Sequence, residues 1–551
     1  MLAWLTVLLI LQQQPPPPPA PPVMPRDSGI ADKKGTAVIK GHVRSAEGRP
    51  LRRTSIAVRG PGLTNGRTAS TGLDGEYEIR ELPAGRFTIT ASRGGYLRAE
   101  YGQRQYGDQG TPVDVADGAV LETIDFTMER AGIVSGRVID ELAEPVANAQ
   151  VWLQQMRFYE GRRKLVPLAS GRTDDTGLYR IASIAPGEYL VVAYFRETWA
   201  SDDNKQTLGY APSFFPNTAT AAEAQRVKVV AGQEAGAIDI ALVAGRAAAI
   251  SGTVTAMDGA PLVGASVSLG QEISGPNGAS MSSIGSARAA GDGTFTIRNI
   301  PPGEYQLRAT GSVADRAPET ASSTVILSGR DLDGLVLGGN RGGLLTGRLV
   351  TDNGAPLPRG ALRVITSSAT FERSMGSSPP KEDGLAAADG AFARRAPAGP
   401  AFIRVSGTPP GWALKQVVIA GRDSTETPVD LLPEQTIADV TVVISNRLPA
   451  VTGRLAGARD AGGTVLLVPA SPALWFEASG AMRSARPDRT GGFKFENVRP
   501  GDYLVVAVDR METWQLNDPE FLAPLREKAK RIAVADESVS VDLEVVPRVI
   551  Q

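Results

Sequence analysis

The sequence predicts an all-β chain of five tandem two-sheet sandwiches, each antiparallel and about seven-stranded. Three observations predict it. A turn–strand–turn–strand phrase occurs five times, an apolar-x-Gly-x-apolar strand opens each repeat, and Gly 61 with Pro 40 in 551 residues makes a turn-rich chain. The clearest copy of the phrase is Asp292-Gly293-Thr294-Phe295-Thr296-Ile297-Arg298-Asn299-Ile300-Pro301-Pro302-Gly303-Glu304-Tyr305-Gln306-Leu307. Asp-Gly and Pro-Pro-Gly bracket alternating apolar residues, which reads as two short strands joined by a tight turn. Further copies start near residues 74, 177, 389 and 491.

The length exceeds what one hydrophobic core organises, so several domains are expected. A hydrophobic fraction of 42% and a charged fraction of 21% fit folded globular material. Lys+Arg 58 against Asp+Glu 59 leaves a net charge of −1, so no global field draws nucleic acid or anionic lipid. Cysteine is absent, and stability is expected from packing alone.

In chain order, residues 2–11 form an apolar run with the length of a signal-peptide core and too short for a bilayer span. No basic residue precedes it and no clear small-x-small cleavage site follows. The expectation is export, to the periplasm, cell surface or exterior, with no membrane span beyond this segment. Residues 12–25 are a Gln/Pro tract, either an extended polyproline spacer or a tail left by processing.

Each repeat then opens on a strand centred on glycine: Ile39-Gly41-Val43, Val134-Gly136-Val138, Ile250-Gly252-Val254, Leu345-Gly347-Leu349 and Val451-Gly453-Leu455. The glycines lie 95, 116, 95 and 106 residues apart (136−41 = 95, 252−136 = 116, 347−252 = 95, 453−347 = 106), a domain-sized period. Each shares parity with apolar neighbours, so it is expected to point inward, where a side chain would meet one of the phrase's rings. Nine residues later Pro50, Pro145, Pro261 and Pro356 mark the closing turn; the fifth repeat has Gly462-Gly463 instead. The second strand follows, with Ile56/Val58, Val151/Leu153, Val267/Leu269 and Leu362/Val364 facing one way.

The phrase supplies two aromatics per repeat at a constant spacing of ten: Tyr77/Phe87, Tyr179/Tyr189, Phe295/Tyr305, Phe392/Phe402 and Phe493/Tyr503. Constant spacing implies a turn of fixed length and a fixed pairing register for the two strands, with all ten rings in the cores. Two more strands close each repeat. Helix is minor: Thr220-Ala221-Ala222-Glu223 reads as a capping box, and residues 517–531 hold a short helix starting near Pro519. The expected division is a signal-like segment at 1–20, a Pro-rich linker at 21–36, and sandwiches at 37–130, 131–245, 246–340, 341–446 and 447–551. Short linkers make a beaded rod on the order of 150 Å from beads of about 30 Å.

These residues resemble the carboxypeptidase regulatory-like domain, a transthyretin-like (prealbumin-like) β-sandwich related to carbohydrate-binding-like folds. The likeness rests on Ile250-Ser251-Gly252-Thr253-Val254, on Asp258-Gly259-Ala260-Pro261-Leu262-Val263-Gly264-Ala265-Ser266-Val267 and on the Asp292 phrase. Repeat three matches best, then one and two. Repeat four is looser, with Pro397-Ala398-Gly399-Pro400 shifting the glycine, and repeat five has lost its first turn. The resemblance implies five prealbumin-like sandwiches without catalytic residues of their own. Such domains follow the catalytic domain of some metallocarboxypeptidases, precede the plug of TonB-dependent receptors, or stand in tandem in exported bacterial proteins.

The residues offer little catalytic chemistry. His42 is the one histidine, and its parity on the first strand puts it in solvent. One His and no Cys exclude a His-Glu-x-x-His zinc site. There is no Gly-x-Ser-x-Gly elbow and no Walker phosphate loop. Ser378-Pro379-Pro380-Lys381 matches Ser-x-x-Lys, but its prolines forbid the helical turn that would join the two side chains. Asp331-Leu332-Asp333-Gly334 and Asp174-Asp175 can hold calcium or simply cap turns. No enzyme, cofactor or metal is expected. The binding candidates are aromatics beyond the second phrase strand: Tyr96, Tyr101, Trp199, Tyr210, Trp412 and Trp514, with Tyr106, Phe214 and Phe215 nearby. They either lid the open edges of the sandwiches or stack on sugars and anchor proteins. The expectation is an exported scaffold or adhesion-type protein whose partner is a polysaccharide or a cell-envelope or extracellular protein. The alternative is a carbohydrate-binding protein that uses these loop aromatics.

Overall fold

A computed structural model describes residues 34–103, 106–108, 110–159, 162–203, 205–275, 278–312, 318–369, 383–456, 463–475, 479–488 and 490–546. The signal-like segment, most of the Pro-rich linker and the Ser378–Lys381 match lie outside them. The described chain is nearly all β, in separate small sheets.

Repeat three shows the plan. Thr294–Ile300, Ala248–Thr255 and Leu332–Gly338 form one sheet; Gly278–Arg288, Ser266–Gly275, Gly303–Gly311 and Glu319–Leu327 form the other. Alternate residues of both sheets face a shared interior that holds Ile250, Val254, Val267, Leu269, Phe295, Tyr305 and Leu307. Comparable clusters centre on Ile39 and Phe87, on Val134 and Tyr189, on Leu345 and Val442, and on Val451 and Tyr503. One pairing departs from a wholly antiparallel sandwich. The closing strand Leu332–Gly338 runs parallel to Ala248–Thr255, and the first strands of the other repeats likewise pair in parallel with a closing strand.

The phrase is not a hairpin. Thr294–Ile300 pairs with Ala248–Thr255, while Gly303–Gly311 pairs with Ser266–Gly275 in the opposite sheet. Its turn crosses the sandwich, so its fixed length sets the offset between sheets rather than a pairing register. Phe295 and Tyr305 then enter one core from opposite walls. The hydroxyl of the second ring donates back to the turn, from Tyr305 to the Pro301 carbonyl at 2.9 Å, with Tyr189–Ala185 and Tyr503–Arg499 the equivalents.

A left-handed residue sits before the turn in four repeats: Glu81, Ser183, Asn299 and Asn497, with φ between 55° and 63°. In repeat three it falls where pairing slips, since Ile250 faces Ile297 but Ala248 faces Ile300. This extra residue is a β-bulge that returns Ile300 to the core. Repeat four lacks it: Gly343 to Arg348 pair with Ala396 to Ala391 without a slip. The deletion corrects one expectation. Ala401 and Ile403 take the core positions of the strand Gly399–Ser406, and Phe402, although fully buried, belongs to the opposite face. There the guanidinium of Arg404 lies 4.8 Å from its ring centroid. In repeat four the spacing of ten comes from a bulge lost, not from a conserved plan.

The first-strand glycines do point inward, but their neighbour is backbone rather than a ring. A Cβ on Gly41, Gly136, Gly252, Gly347 or Gly453 would overlap the carbonyl of Ile124, Ile238, Leu335, Val440 or Val541. In repeats one and two the first tyrosine binds that same carbonyl, Tyr77 to Ile124 and Tyr179 to Ile238, each at 2.6 Å. Rings come close to the missing Cβ only as further neighbours, Tyr77 at 3.1 Å and Phe493 at 2.7 Å.

Repeat five carries a second core. Its strand Thr464–Pro469 is buried at every position, because Leu466, Val468, Leu504 and Val506 pack under Trp475, Met511 and Leu522 on the outer face. Leu522 comes from the helical stretch, a 3-10 turn Thr513–Asn517 followed by a single α-turn Pro519–Leu522 capped by Asp518. The capping-box sequence in repeat two stays a turn, with Thr220 donating to Glu223 at 2.9 Å.

The repeats are not strung as a rod. Arginines join them: Arg196 to Ser282 and Ser283 between two and three, and Arg341 to Glu319 and Glu434 between three and four. Between four and five, Arg404 and Arg499 both donate to the Ser479 carbonyl. Repeat five also touches repeats one and two, through Arg486 to the Gly102 carbonyl and Arg157 to Glu512. The beaded rod expected from short linkers is replaced by a closed circuit.

Candidate functional site

The six aromatic candidates stand in four settings. Tyr96 is half-buried against the first core, with the guanidinium groups of Arg93 and Arg130 5.6 and 5.4 Å from its ring centroid. Tyr101 packs edge-on against Phe126, with centroids 6.1 Å apart, and so seals the same core. In repeat two, Trp199 lies 4.7 Å from Tyr210, which also meets Phe195. Tyr210 is buried and donates to Glu141 at 2.6 Å; burial, then that carboxylate, raise its hydroxyl pKa well above the usual phenol range. Trp412 packs on the fourth core. Trp514 donates to Glu512 at 2.8 Å and lies under Arg157 of repeat two, 5.7 Å from its ring. All six are at least half-buried, and the structure does not gather them into one surface.

One open cleft of about 400 Å³ does bring two rings together. Its lining includes Arg93, Tyr96, Arg98 and Tyr106 of repeat one and Ser183 of repeat two. Tyr106 is 45% exposed, the most accessible ring of the set. The arginines were not among the candidates read from sequence, although Arg93-Gly94-Gly95-Tyr96-Leu97-Arg98 places them within three residues of Tyr96. Two rings offer faces to a sugar or peptide plane, and two guanidinium groups offer charge and directional donors.

A second cluster of charge lies between repeats four and five. Arg404 and Arg499 flank Glu426, with Arg499 bonded to it at 2.5 Å. Burial lowers the Arg404 pKa to about 10, assisted by Arg499 and opposed by Glu426, and burial raises that of Glu426. Both shifts have desolvation as their largest cause, so this is a buried structural network.

The aspartates weighed for calcium are engaged in the chain. Asp331 accepts from Arg246 and from the Ala249 amide at 2.8 and 2.9 Å, Asp333 accepts from Ser251, and Asp174 accepts from Thr176 and Leu178. Among the described residues no group of three His, Cys, Asp or Glu side chains can hold a metal ion. His42 is exposed on the first strand beside Asp125, 3.6 Å from its carboxylate. No helix of the described residues is long and apolar enough to cross a membrane.

Residues 38–129 and 249–330, within repeats one and three, match the carboxypeptidase regulatory-like domain family. The match is confined to these two segments of a tandem β-sandwich chain. No curated protein matches the chain. Among solved structures it is similar to a streptococcal ancillary pilin, 12% identical over 55% of this chain and 99% of that one, with a TM-score of 0.20. It is also similar to the minor pilin GBS52 of Streptococcus agalactiae, 12% identical over 38% of this chain and 95% of that one, TM-score 0.20. The TIE protein of Bacillus anthracis is 10% identical over 84% of this chain and 71% of that one, TM-score 0.15. At such scores these likenesses carry no argument about function.

Proposed function

We propose that the chain is a non-enzymatic, exported scaffold of the adhesion type, built to hold β-sandwich units in fixed relative positions. The observation that carries this reading is the set of arginine bridges between repeats. Arg341 is mostly buried and bonds Glu319, which is 0% exposed, at 2.7 Å, so the third and fourth repeats meet through a desolvated pair. Flexible tethers need no such contacts; a frame does. Export rests on the apolar run at residues 2–11, and the partner is a polysaccharide or an envelope or extracellular protein. Fusing residues 1–36 to a reporter tests export, and retention of the reporter in the cytoplasm defeats it. Binding of the full chain to envelope extracts tests the scaffold role.

A second reading is favoured by the cleft of repeat one: carbohydrate binding through Tyr96 and Tyr106. Polysaccharide pull-down with the full chain is the measurement. Tyr106→Ala should lower retention at least tenfold, while Trp199→Ala, buried against Tyr210, should leave it near wild type. Equal loss in both variants, or none, rejects the cleft.

A further inference from the structure

The contact of repeat five with repeats one and two differs in kind from the other junctions. No short linker holds it, since its partners are more than 350 residues apart. One half is the long hairpin of repeat two, Gln150–Tyr159 with Arg162–Arg172, which reaches out from its sandwich. The other half is the helical cover of repeat five. Arg157 donates to Glu512 at 3.1 Å, and Arg163 donates to Glu520 at 2.5 Å and to Asp518 at 3.4 Å. Toward repeat one, Arg510 lies 4.0 Å from Asp108, and Arg486 donates to the Gly102 carbonyl at 3.2 Å. The polarity is consistent for repeat two: its hairpin gives the cations and the helical segment of repeat five the anions.

The outer charges of this contact are open to solvent. Arg163 is 41% exposed, Glu520 73%, Glu512 41% and Arg510 42%, while Arg157 at 19% and Asp518 at 4% are more shielded. Exposed pairs are weak one by one and are screened by salt. Several of them must also offset the freedom lost when the ends of a long chain are brought together. Such a balance is easily tipped.

We propose that the hairpin of repeat two and the helical segment of repeat five form an electrostatic latch that closes the five repeats into a ring and releases at high ionic strength. Closed, the latch covers Trp514 with Arg157 and seats repeat five beside residues 106–108, at the rim of the cleft. Open, it frees the face of Trp514 and lets the chain extend through its remaining junctions.

The cysteine-free chain makes the test direct. Spin or fluorescent labels on Ser170→Cys and Lys528→Cys, both at exposed positions flanking the latch, report the distance between repeats two and five in the full chain. At low salt a single short distance is expected. Near 1 M salt the distribution should lengthen by on the order of one repeat width, about 30 Å. Arg163→Glu should give the long distribution already at low salt, and Arg163→Glu with Glu520→Arg should restore the short one. Far-ultraviolet circular dichroism of all variants checks that the sandwiches stay folded. A short distance that persists in high salt and in Arg163→Glu overturns the latch. So does a long distance in the unmodified sequence at low salt, or failure of the charge swap to restore closure while the fold is intact.

Discussion

Repeats three and five share a sequence plan and use it differently. Repeat three is a minimal sandwich: seven strands, one core, and strands whose outer residues face water, as in the exposed Thr294, Thr296 and Arg298. Repeat five keeps the glycine strand and both rings, but fills the outer face of a central strand as well. Thr464-Val465-Leu466-Leu467-Val468-Pro469 is apolar without alternation, and the outward residues are covered by Trp475, Met511 and Leu522. That cover then presents Glu512, Asp518 and Glu520 to repeat two. The lesson is that a conserved core phrase leaves the outer faces free to diverge, and divergence there decides how the repeats assemble.

The comparison can be broken at its shared point first. Gly252→Val and Gly453→Val should each unfold their own repeat, at a cost of at least about 3 kcal/mol, because the obstacle is a backbone carbonyl that cannot rotate away. Limited proteolysis mapped to each repeat is the readout; equal tolerance of valine at both sites would refute the close approach. Next, Phe295→Ala and Leu522→Ala should cost roughly 2–5 kcal/mol each. Phe295→Ala should loosen repeat three alone. Leu522→Ala should spare the inner core of repeat five but strip its cover, and so weaken contact with repeat two; loss of repeat five's sandwich as a whole would merge its two cores into one.

A smaller effect is read with pH. Burial, the largest cause, pushes the Tyr305 hydroxyl up to about 12 from about 10. The folded value lies above the unfolded one, so this stability is complete below pH about 10 and is lost as pH rises toward 12. Two units correspond to about 2–3 kcal/mol. Tyr305→Phe should flatten that alkaline loss in thermal unfolding, and an unchanged alkaline slope would contradict the buried hydroxyl. The smallest effect belongs to Asp292. Its carboxylate accepts from the Thr294 side chain and amide at 2.7 and 3.0 Å, which lowers its pKa. Stability from this turn is present above the ordinary carboxylate range and lost as pH falls through the folded value. Asp292→Ala should lower the melting temperature only slightly and remove that acid dependence.

Much of the fold was legible because it depends on local spacing. The glycine strand, the proline turn and the paired rings recur at fixed intervals, and each of the phrase's rings is buried. Phe402 shows where spacing misleads. Ten residues separate it from Phe392 as in every repeat, yet one bulge residue is gone, and a shift of one reverses the face of a strand. Counting from Gly399 rather than from Phe392 would have found it, since Gly303 precedes Tyr305 by two and Gly399 precedes Phe402 by three. Of the candidate site, the rings were visible, whereas the cleft depends on Ser183 arriving from another repeat, which no local pattern encodes.

By itself, then, the sequence determined strand identity, turn positions and most of each inner core, with Phe402 the exception, because alternation and turn chemistry act over a few residues. Tertiary structure alone decided which strands share a sheet. The turn of the phrase carries the same residues whether it folds back as a hairpin or crosses the sandwich, and only packing of both rings into one interior selects the crossing. It also decided the closure of the chain, since Arg163 and Glu520 are ordinary surface charges until distant repeats bring them within bonding distance.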